Sequence, residues 1–340
     1  MSRMESELEA QARACEAMGS PFVAEFLRAA CDDYRGGSRV RDALDAHAAY
    51  SRAGLRLSGA FHYLALAGEP TLSRHYPSVG GDGDARRAWH AASAILDRDP
   101  ELMERLLREN VQTNESLRSM PILGAFLYLA GTFELPFRIF EIGASAGLNS
   151  RFDRYHYVGD GWRWGNTNSP LVLQNRIVSG RPAHLDSAIR IAERRACDAN
   201  PIDVADRRSV RRLESFVWPD QLDRLQRLRS ALSVAADVAV EVRRENFTTW
   251  LPREVRPRNG SVTVVLQSVV EEHLTAAQCD ELHSIVETIG TQATATAPFA
   301  YVRMELESET YETSVRTWPE RSTTTICHSD GHAQDIRWMQ

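Results

Sequence analysis

A short stretch in the middle of the chain has the residue types of a nucleotide cradle. The apolar run 137–142 contains Glu141 near its end, and Gly143, Ser145 and Gly147 follow at alternate positions. Small residues where a strand turns into a helix let a ligand approach the backbone, and the N–H groups of the helix then point at it. We therefore expect this turn to bind a nucleotide-like cofactor.

A second carboxylate could complete such a site. In an open parallel sheet the acid that binds a ribose lies at the end of the next strand, because one carboxylate accepts from both hydroxyl groups. Asp198 follows the run 189–197, which we interpret as that strand, although residues 187–196 also have the composition of a helix. Asn200 and Pro201 then indicate the entry to a helix.

Polar residues also follow the remaining strands of the expected sheet. Asn149 would start the first helix beside the cofactor, Glu245 and Asn246 would meet its adenine edge, and Gln267 would face its methyl region. Candidates for acceptor contact or proton removal lie just past the fourth strand, and a charged helix start explains them equally well: Glu271, Glu272 and His273. Candidates for substrate binding come before the first strand or end the fifth: Asn114, Glu115, Arg118 and Arg303.

The same turn allows a different chemistry. Residues 143–147 fit the Gly-x-Ser-x-Gly elbow of esterases, with Ser145 as nucleophile and His273 or His328 as base. That elbow normally follows several strands, whereas the sequence before Pro136 is typical of helices, which disfavours a hydrolase. A nicotinamide-binding sheet is a further alternative.

Two other clusters have simpler structural explanations. Residues 327–332 contain one Cys, one Asp and two His, but they lack partners at a known metal-ligand spacing and are more typical of a polar turn. The aromatic residues between 155 and 164 favour a packing lid, because base stacking would need a basic groove beside them.

The elements that must position these residues fall into two parts. Apolar residues at three- and four-residue spacing predict helices over 5–18, 21–34, 40–67, 86–96 and 101–110, and a last helix through Ala130. Strands are predicted at 137–142, 189–197, 238–242, 262–266 and 299–304, with helices between them and a terminal hairpin at 313–318 and 323–328. We predict a helical domain at 1–135, an α/β domain at 136–340, and an insertion near 158–180.

Composition excludes several activities. All 40 basic residues are arginine, so Schiff-base and phosphate-loop chemistry that requires lysine is excluded. The net charge of -6 disfavours nucleic acid as a partner, and no apolar run is long enough to span a membrane. The five cysteines form no Cys-x-x-Cys pair, which is typical of a reducing compartment, and we expect a cytoplasmic protein.

The turn at 141–147 resembles motif I of class I S-adenosylmethionine-dependent methyltransferases, with Ser145 in place of the middle glycine. Longer strings resemble the uncharacterised bacterial "domain of unknown function" family numbered 2332, and they cover nearly the whole chain: QTNE (112–115), EIGASAGLN (141–149), DRY (153–155), CD (197–198), PID (201–203), FVWPDQ (216–221), RME (303–305) and CH (327–328). The sequence departs from that family at Gln267, where a histidine is expected, and at residues 115–118, where smaller residues are usual between Glu and Arg.

The resemblance implies a Rossmann-like, mainly parallel sheet of the methyltransferase type that binds S-adenosylmethionine. The acceptor is then a small molecule, because the tetrapeptide typical of nucleic-acid amino methyltransferases is missing after the fourth strand. The helical domain could close over the site through Gln112 and its neighbours. A non-catalytic or regulatory ligand-binding relative and an esterase acting through Ser145 are the alternatives.

Overall fold

The computed structural model describes residues 2–46 and 52–339, and the chain divides into two compact units. One unit consists of Met1–Thr113 with Ala205–Leu228, and the other of Asn114–Val204 with Arg229–Gln340. Residues 205–228 therefore fold with the first unit although they lie far along the chain. No described helix combines the length and the apolar character needed to cross a membrane.

The first unit is built from helices: α1 (Arg3–Ala17), α2 (Pro21–Arg35), α3 (Arg39–Asp45), α4 (Ala53–Leu66), α5 (Pro70–Ser73), α6 (Ala85–Arg98), α7 (Pro100–Leu107) and α9 (Arg207–Ser215). Side-chain oxygens of Ser20 and Asp84 accept backbone N–H groups at the starts of α2 and α6, as helix capping requires. The rings of Phe26, Phe61 and Trp89 pack together in its core. The single helix expected over 40–67 is divided into α3 and α4, and residues 47–51 of that prediction lie outside the described residues.

The second unit contains a large central sheet. Its parallel strands are β1 (Phe137–Ile142), β6 (Ile191–Asp198), β7 (Val242–Arg244), β8 (Val262–Ser268) and β9 (Phe299–Glu307), in the spatial order β7-β6-β1-β8-β9. The antiparallel strands β10 (Thr310–Trp318), β11 (Ser322–Ser329) and β12 (Asp335–Trp338) continue the sheet, and β5 (Arg176–Ser179) lies parallel to β12 at the edge. An α/β chain with a large, mostly parallel sheet and a terminal hairpin is confirmed.

Helices cover both faces of this sheet. They are α8 (Ser119–Phe133), α11 (Phe247–Glu254) and α12 (Ala276–Gly290). A further helix, α10 (Leu222–Asp237), has its first residues in the first unit and its last residues in the second. Side chains of a strand alternate between faces, so Phe137 packs on Phe126 of α8 while Phe140 packs on Trp250 of α11. Burial on both faces explains why four of the six residues of β1 are apolar.

A small separate sheet follows the first strand of this unit. It consists of β2 (His156–Gly159), β3 (Trp162–Gly165) and β4 (Val172–Leu173), in the order β3-β2-β4. Tyr157 is fully buried there, and its ring meets the edge of Trp164 at 5.9 Å between centroids. The aromatic residues of this stretch thus pack within the protein.

Three local expectations are wrong. The turn after β1 opens only a 3-10 helix, Asn149–Arg154, and Asn200 and Pro201 do not begin a helix, because the chain stays irregular as far as α9. The third parallel strand starts at Val242, not at Val238, because α10 continues to Asp237 and residues 238–241 are needed to reach the sheet.

Candidate functional site

The candidate site lies at the carboxyl ends of the parallel strands. The spatial order of the strands reverses between β1 and β8, and ligands of open α/β sheets bind in the crevice at such a point. In the parallel pairing of β1 with β6, Ile142 lies opposite Cys197, so Asp198 is the next residue beyond the end of β1. The loop after β1 and Asp198 therefore meet at this edge.

Asp198 is half-buried and is bonded to that loop. Its Oδ2 accepts from the N–H of Ser145 at 2.8 Å, and its Oδ1 accepts from the N–H of Asn200 at 2.7 Å. A carboxylate has about four acceptor positions, so each oxygen keeps one for a further donor. Asp198 can bind two ligand hydroxyl groups while it holds the loop.

The loop itself has a tight backbone. Gly143 and Gly147 have φ of +61° and +66°, and a Cβ on Gly143 would lie 2.6 Å from Cγ2 of Val270. Ser145 also has a positive φ, of +53°, which costs a residue with a side chain about 1–2 kcal/mol. Its Oγ is buried, and no described group forms a hydrogen bond with it.

Two further side chains hold this loop. Oδ1 of Asn114 accepts from the N–H groups of Ala146 and Leu148, both at 3.2 Å. The guanidinium of Arg151 donates to the carbonyl oxygens of Ala146 at 3.2 Å and Gly147 at 2.6 Å, and Arg151 is 1 % exposed. Asn114 was expected to contact substrate, whereas Arg151 was not expected at the site, because an arginine behind a small-residue turn has no distinctive pattern.

Glu141 faces the interior beneath the loop. It is 2 % exposed, and Ser150 Oγ donates a hydrogen bond to its Oε2. Burial raises the pKa of Glu141 to about 7, although the bond from Ser150 and the charge of Arg151 act in the opposite direction. The described contacts of Glu141 are therefore those of a residue that supports the loop from below.

A buried polar network holds the segment after β8. Gln267 is fully buried, and its Nε2 donates to Oε1 of both Glu271 and Glu305, each at 2.9 Å. Tyr301 donates its hydroxyl to Gln267 Oε1 at 2.6 Å, which fixes the orientation of the amide. Glu305 also accepts the N–H groups of Val270 at 2.8 Å and Glu271 at 3.2 Å. Glu305 thereby sets the position of Val270, the side chain that lies against Gly143.

The pKa values of the two carboxyl groups in this network are shifted in opposite directions. Burial raises the pKa of Glu305 to about 7, against the backbone N–H groups of Val270 and Glu271. Burial also opposes ionisation of Glu271, but hydrogen bonds from Arg303 and His283 outweigh it and lower the pKa of Glu271 to about 2. Arg303 forms a bidentate pair with Glu271, at 2.7 and 2.6 Å, and also donates to Glu307. Glu271 is thus a fixed anion at this edge.

The other predicted site residues lie around these groups with contacts of their own. Asn149 is buried and bonds Ser119 at 2.9 Å and Ser268 at 3.3 Å, so it ties the loop to β8. Glu245 is paired with Arg253, and Asn246 caps α11 through the N–H of Thr248, which gives both a structural function. The remaining four have these environments: Glu272 and His273 are exposed on a 3-10 turn, Glu115 is buried and accepts the N–H of Leu117, and Arg118 donates to the carbonyl of Gly331 at 2.8 Å.

Two other sites that the sequence allows, an esterase with Ser145 as nucleophile and a metal site at 327–332, have no matching arrangement among the described residues. No described histidine bonds to Ser145 Oγ, which has no hydrogen-bond partner in residues 2–46 and 52–339. Groups of three or more His, Cys, Asp or Glu that could hold a metal ion were not found in residues 2–46 and 52–339. In the turn at 327–332, the carboxylate of Asp330 accepts hydrogen bonds from the backbone N–H groups of His332 and Asp335.

Comparison with known protein families identifies the chain. The model of DUF2332, a family described as uncharacterized protein conserved in bacteria, matches residues 5–338. The chain belongs to this family. None of the curated proteins and none of the solved structures matches it. The DUF2332 match covers both units, including the loop after β1, Asp198 and the network around Gln267.

Proposed function

We propose that this DUF2332 protein is an S-adenosylmethionine-dependent methyltransferase with a Rossmann-like sheet of the class I type, acting on a small molecule. The observation that carries the proposal is the half-buried carboxylate of Asp198, bonded to the small-residue loop after β1 and still able to accept two hydroxyl groups. If the five parallel strands are numbered 1 to 5 along the chain, they lie side by side in the order 3-2-1-4-5, as in dinucleotide-binding sheets. This order supports the proposal.

The residues of the loop fit such a cofactor. Only glycine is compatible with the positive φ and the close approach of Val270 at position 143, so glycine keeps the backbone of the loop tight there. Ser145 Oγ is buried without a partner in the described chain, and a ligand group could satisfy it. In this proposal Asp198 holds the ribose, while Gly143, Ser145 and Gly147 shape the rest of the cofactor site.

Catalysis in this proposal rests on positioning. S-adenosylmethionine, when bound, supplies an electrophilic methyl group on a sulfonium. The chain orients the acceptor and excludes water, and a base is needed only when the acceptor must lose a proton. Glu271 is unsuited to be that base, because its low pKa and its pair with Arg303 keep it ionised and occupied. Glu272 and His273 are exposed beside it and are the candidates for acceptor contact.

Calorimetry tests the cofactor assignment. Titration of the full chain with S-adenosylmethionine, S-adenosylhomocysteine and NAD should show binding of both sulfur nucleotides and none of NAD. Asp198→Ala should weaken that binding by more than about tenfold, whereas Asp160→Ala, in the turn between β2 and β3, should leave it unchanged. If neither sulfur nucleotide binds, the proposal is wrong, and labelling of Ser145 by a fluorophosphonate would support the esterase instead.

A non-catalytic nucleotide-binding relative is the second candidate. The observation that favours it is the network around Gln267, in which the ionised Glu271 is fully engaged by Gln267, His283 and Arg303. Binding of S-adenosylhomocysteine that depends on Asp198 but is insensitive to Glu272→Gln and His273→Gln, with no methyl transfer to any small-molecule acceptor, would favour this candidate over the enzyme.

A further inference from the structure

The helical unit contains a cationic groove that takes no part in the proposed methyl transfer. It has a volume of about 310 Å³ and lies between α6 and the segment formed by α5 and the turn after it. One wall and the floor come from residues spaced three or four apart along α6, from Arg87 to Arg98, and the other wall comes from Thr71, Arg74 and His75. Helical spacing therefore places Arg87 and Arg98 on the face of α6 that lines the groove.

The charge of this groove is strongly one-sided. Among the described residues, its lining includes Arg74, Arg87 and Arg98 but no aspartate or glutamate. Acidic partners lie outside the lining, with Asp84 at 3.4 Å from Arg87 and Glu69 at 3.7 Å from Arg98, and each contacts one guanidinium nitrogen. A guanidinium has five N–H donors, so most of the donors remain available. Because the chain has no lysine, a cationic side-chain site for an oxyanion must use arginine or histidine.

A buried histidine lies next to Arg74 in the same wall. His75 is 9 % exposed, and its Nδ1 lies 2.9 Å from Oδ1 of Asp82, which orients the ring. No described group bonds to the other nitrogen, Nε2, and the residue lines the groove. When the ring is doubly protonated, an imidazole held at Nδ1 by a carboxylate can also donate from Nε2 to an anion.

The floor of the groove selects for more than charge. Ala91, Ala94 and Ile95 lie between the two α6 arginines of the lining and have apolar side chains. We propose that this groove binds a small phosphate ester, with the phosphate held by the three guanidinium groups and His75 and the organic part lying on the alanine floor. Arginine matches the geometry of phosphate oxygens through paired N–H donors. The inference is independent of the proposed function.

Binding by the full chain tests this site with three probes. Isothermal titration with n-butyl phosphate, inorganic phosphate and n-butanol should show the ester binding more tightly than phosphate by at least about fivefold, because its methylene groups leave water on the alanine floor. Butanol should show no saturable binding. A butyl phosphate affinity equal to that of inorganic phosphate would refute the apolar part of the site.

Two matched triple variants locate the binding. Arg74→Gln, Arg87→Gln and Arg98→Gln together should weaken butyl phosphate by more than about tenfold, since three charge-assisted contacts are lost. The control replaces three exposed arginines of the same unit that lie outside the groove: Arg13→Gln, Arg39→Gln and Arg86→Gln. The control should change the affinity by less than about twofold. Absence of saturable binding to wild type at about 10 mM ester, or an equal loss in both triples, would overturn the proposal.

Discussion

Replacement of Glu141 by glutamine should stabilise the protein at neutral and alkaline pH. Glutamine retains an acceptor oxygen for Ser150 Oγ and has nearly the shape of glutamate, so the variant removes the charge and little else. The pKa of Glu141 is about 7 when folded, against an ordinary value of 4.5, because burial disfavours the anion. At about 1.36 kcal/mol per pH unit, this difference corresponds to about 3 kcal/mol.

The sign of this effect follows from proton binding. Below pH 4.5 the carboxyl is neutral in both states and contributes no pH dependence. Between pH 4.5 and 7 the Glu141 carboxyl binds more protons in the folded state than in the unfolded state, so its contribution to wild-type stability falls as pH rises and is constant above pH 7. Glu141→Gln does not titrate, so its stability relative to wild type should increase by about 3 kcal/mol between pH 4.5 and 8.

Urea unfolding of wild type and Glu141→Gln at pH 4.5, 6, 7 and 8, followed by tryptophan fluorescence, measures this difference. Glu104→Gln is the control, because Glu104 is a half-exposed partner of Arg108 on the surface and should contribute only about 0–1 kcal/mol. The reasoning is refuted if the difference in free energy of unfolding between wild type and Glu141→Gln does not change with pH, or if the wild type becomes more stable relative to the variant as pH rises.

Further substitutions test the supports of the loop and of the segment after β8. Gly143→Ala should lower the free energy of unfolding by about 2–4 kcal/mol, because it combines a positive φ with a clash against Val270, and Val270→Ala in the same chain should recover part of that loss. Asn114→Ala should cost about 1–3 kcal/mol, since it leaves two loop N–H groups unpaired, whereas Asn114→Asp retains the acceptor and most of the stability. Glu271→Gln should cost about 3 kcal/mol at pH 7. A lowered pKa contributes stability only while the folded carboxylate is ionised. The loss in the variant should therefore shrink as pH falls from 4.5 towards 2.

These variants are measured by urea unfolding, with Glu271→Gln repeated at pH 3. Additive losses for Gly143→Ala and Val270→Ala would contradict the contact between those side chains. A loss in Asn114→Asp as large as that in Asn114→Ala would mean that Oδ1 of Asn114 is not the important acceptor. For Glu271, a loss that grows at acid pH would contradict its low pKa.

The sequence predicts those elements whose pattern is local. The apolar run of β1 and the small residues behind it are sufficient to locate the loop, and Asp198 was placed correctly at the end of the adjacent strand because the topology of parallel sheets requires it there. The short 3-10 helix after the loop could not be predicted. The Arg151 side chain donates to the carbonyl oxygens of Ala146 and Gly147. In an α-helix that started in the loop, these oxygens would instead accept from backbone N–H groups of the helix.

The polar network after β8 depends on contacts between distant residues. Gln267 and Glu305 are 38 positions apart, and they meet only because β8 and β9 pair in one register. Glu305 has no local pattern that distinguishes it from a surface glutamate. The start of β7 was also missed, because helical propensity in the apolar run before it does not show where α10 ends.

Calorimetric titration with S-adenosylhomocysteine and with its 2′,3′-dideoxy analogue tests the central claim most directly. If the carboxylate of Asp198 holds the ribose diol, removal of both hydroxyl groups should weaken binding to wild type by more than about tenfold. In Asp198→Ala the two ligands should bind with affinities within about twofold of each other, because the hydroxyl groups have lost their acceptor. Failure of wild type to bind S-adenosylhomocysteine, or an equal penalty for the analogue in both proteins, would contradict the assignment of this edge of the sheet as the cofactor site.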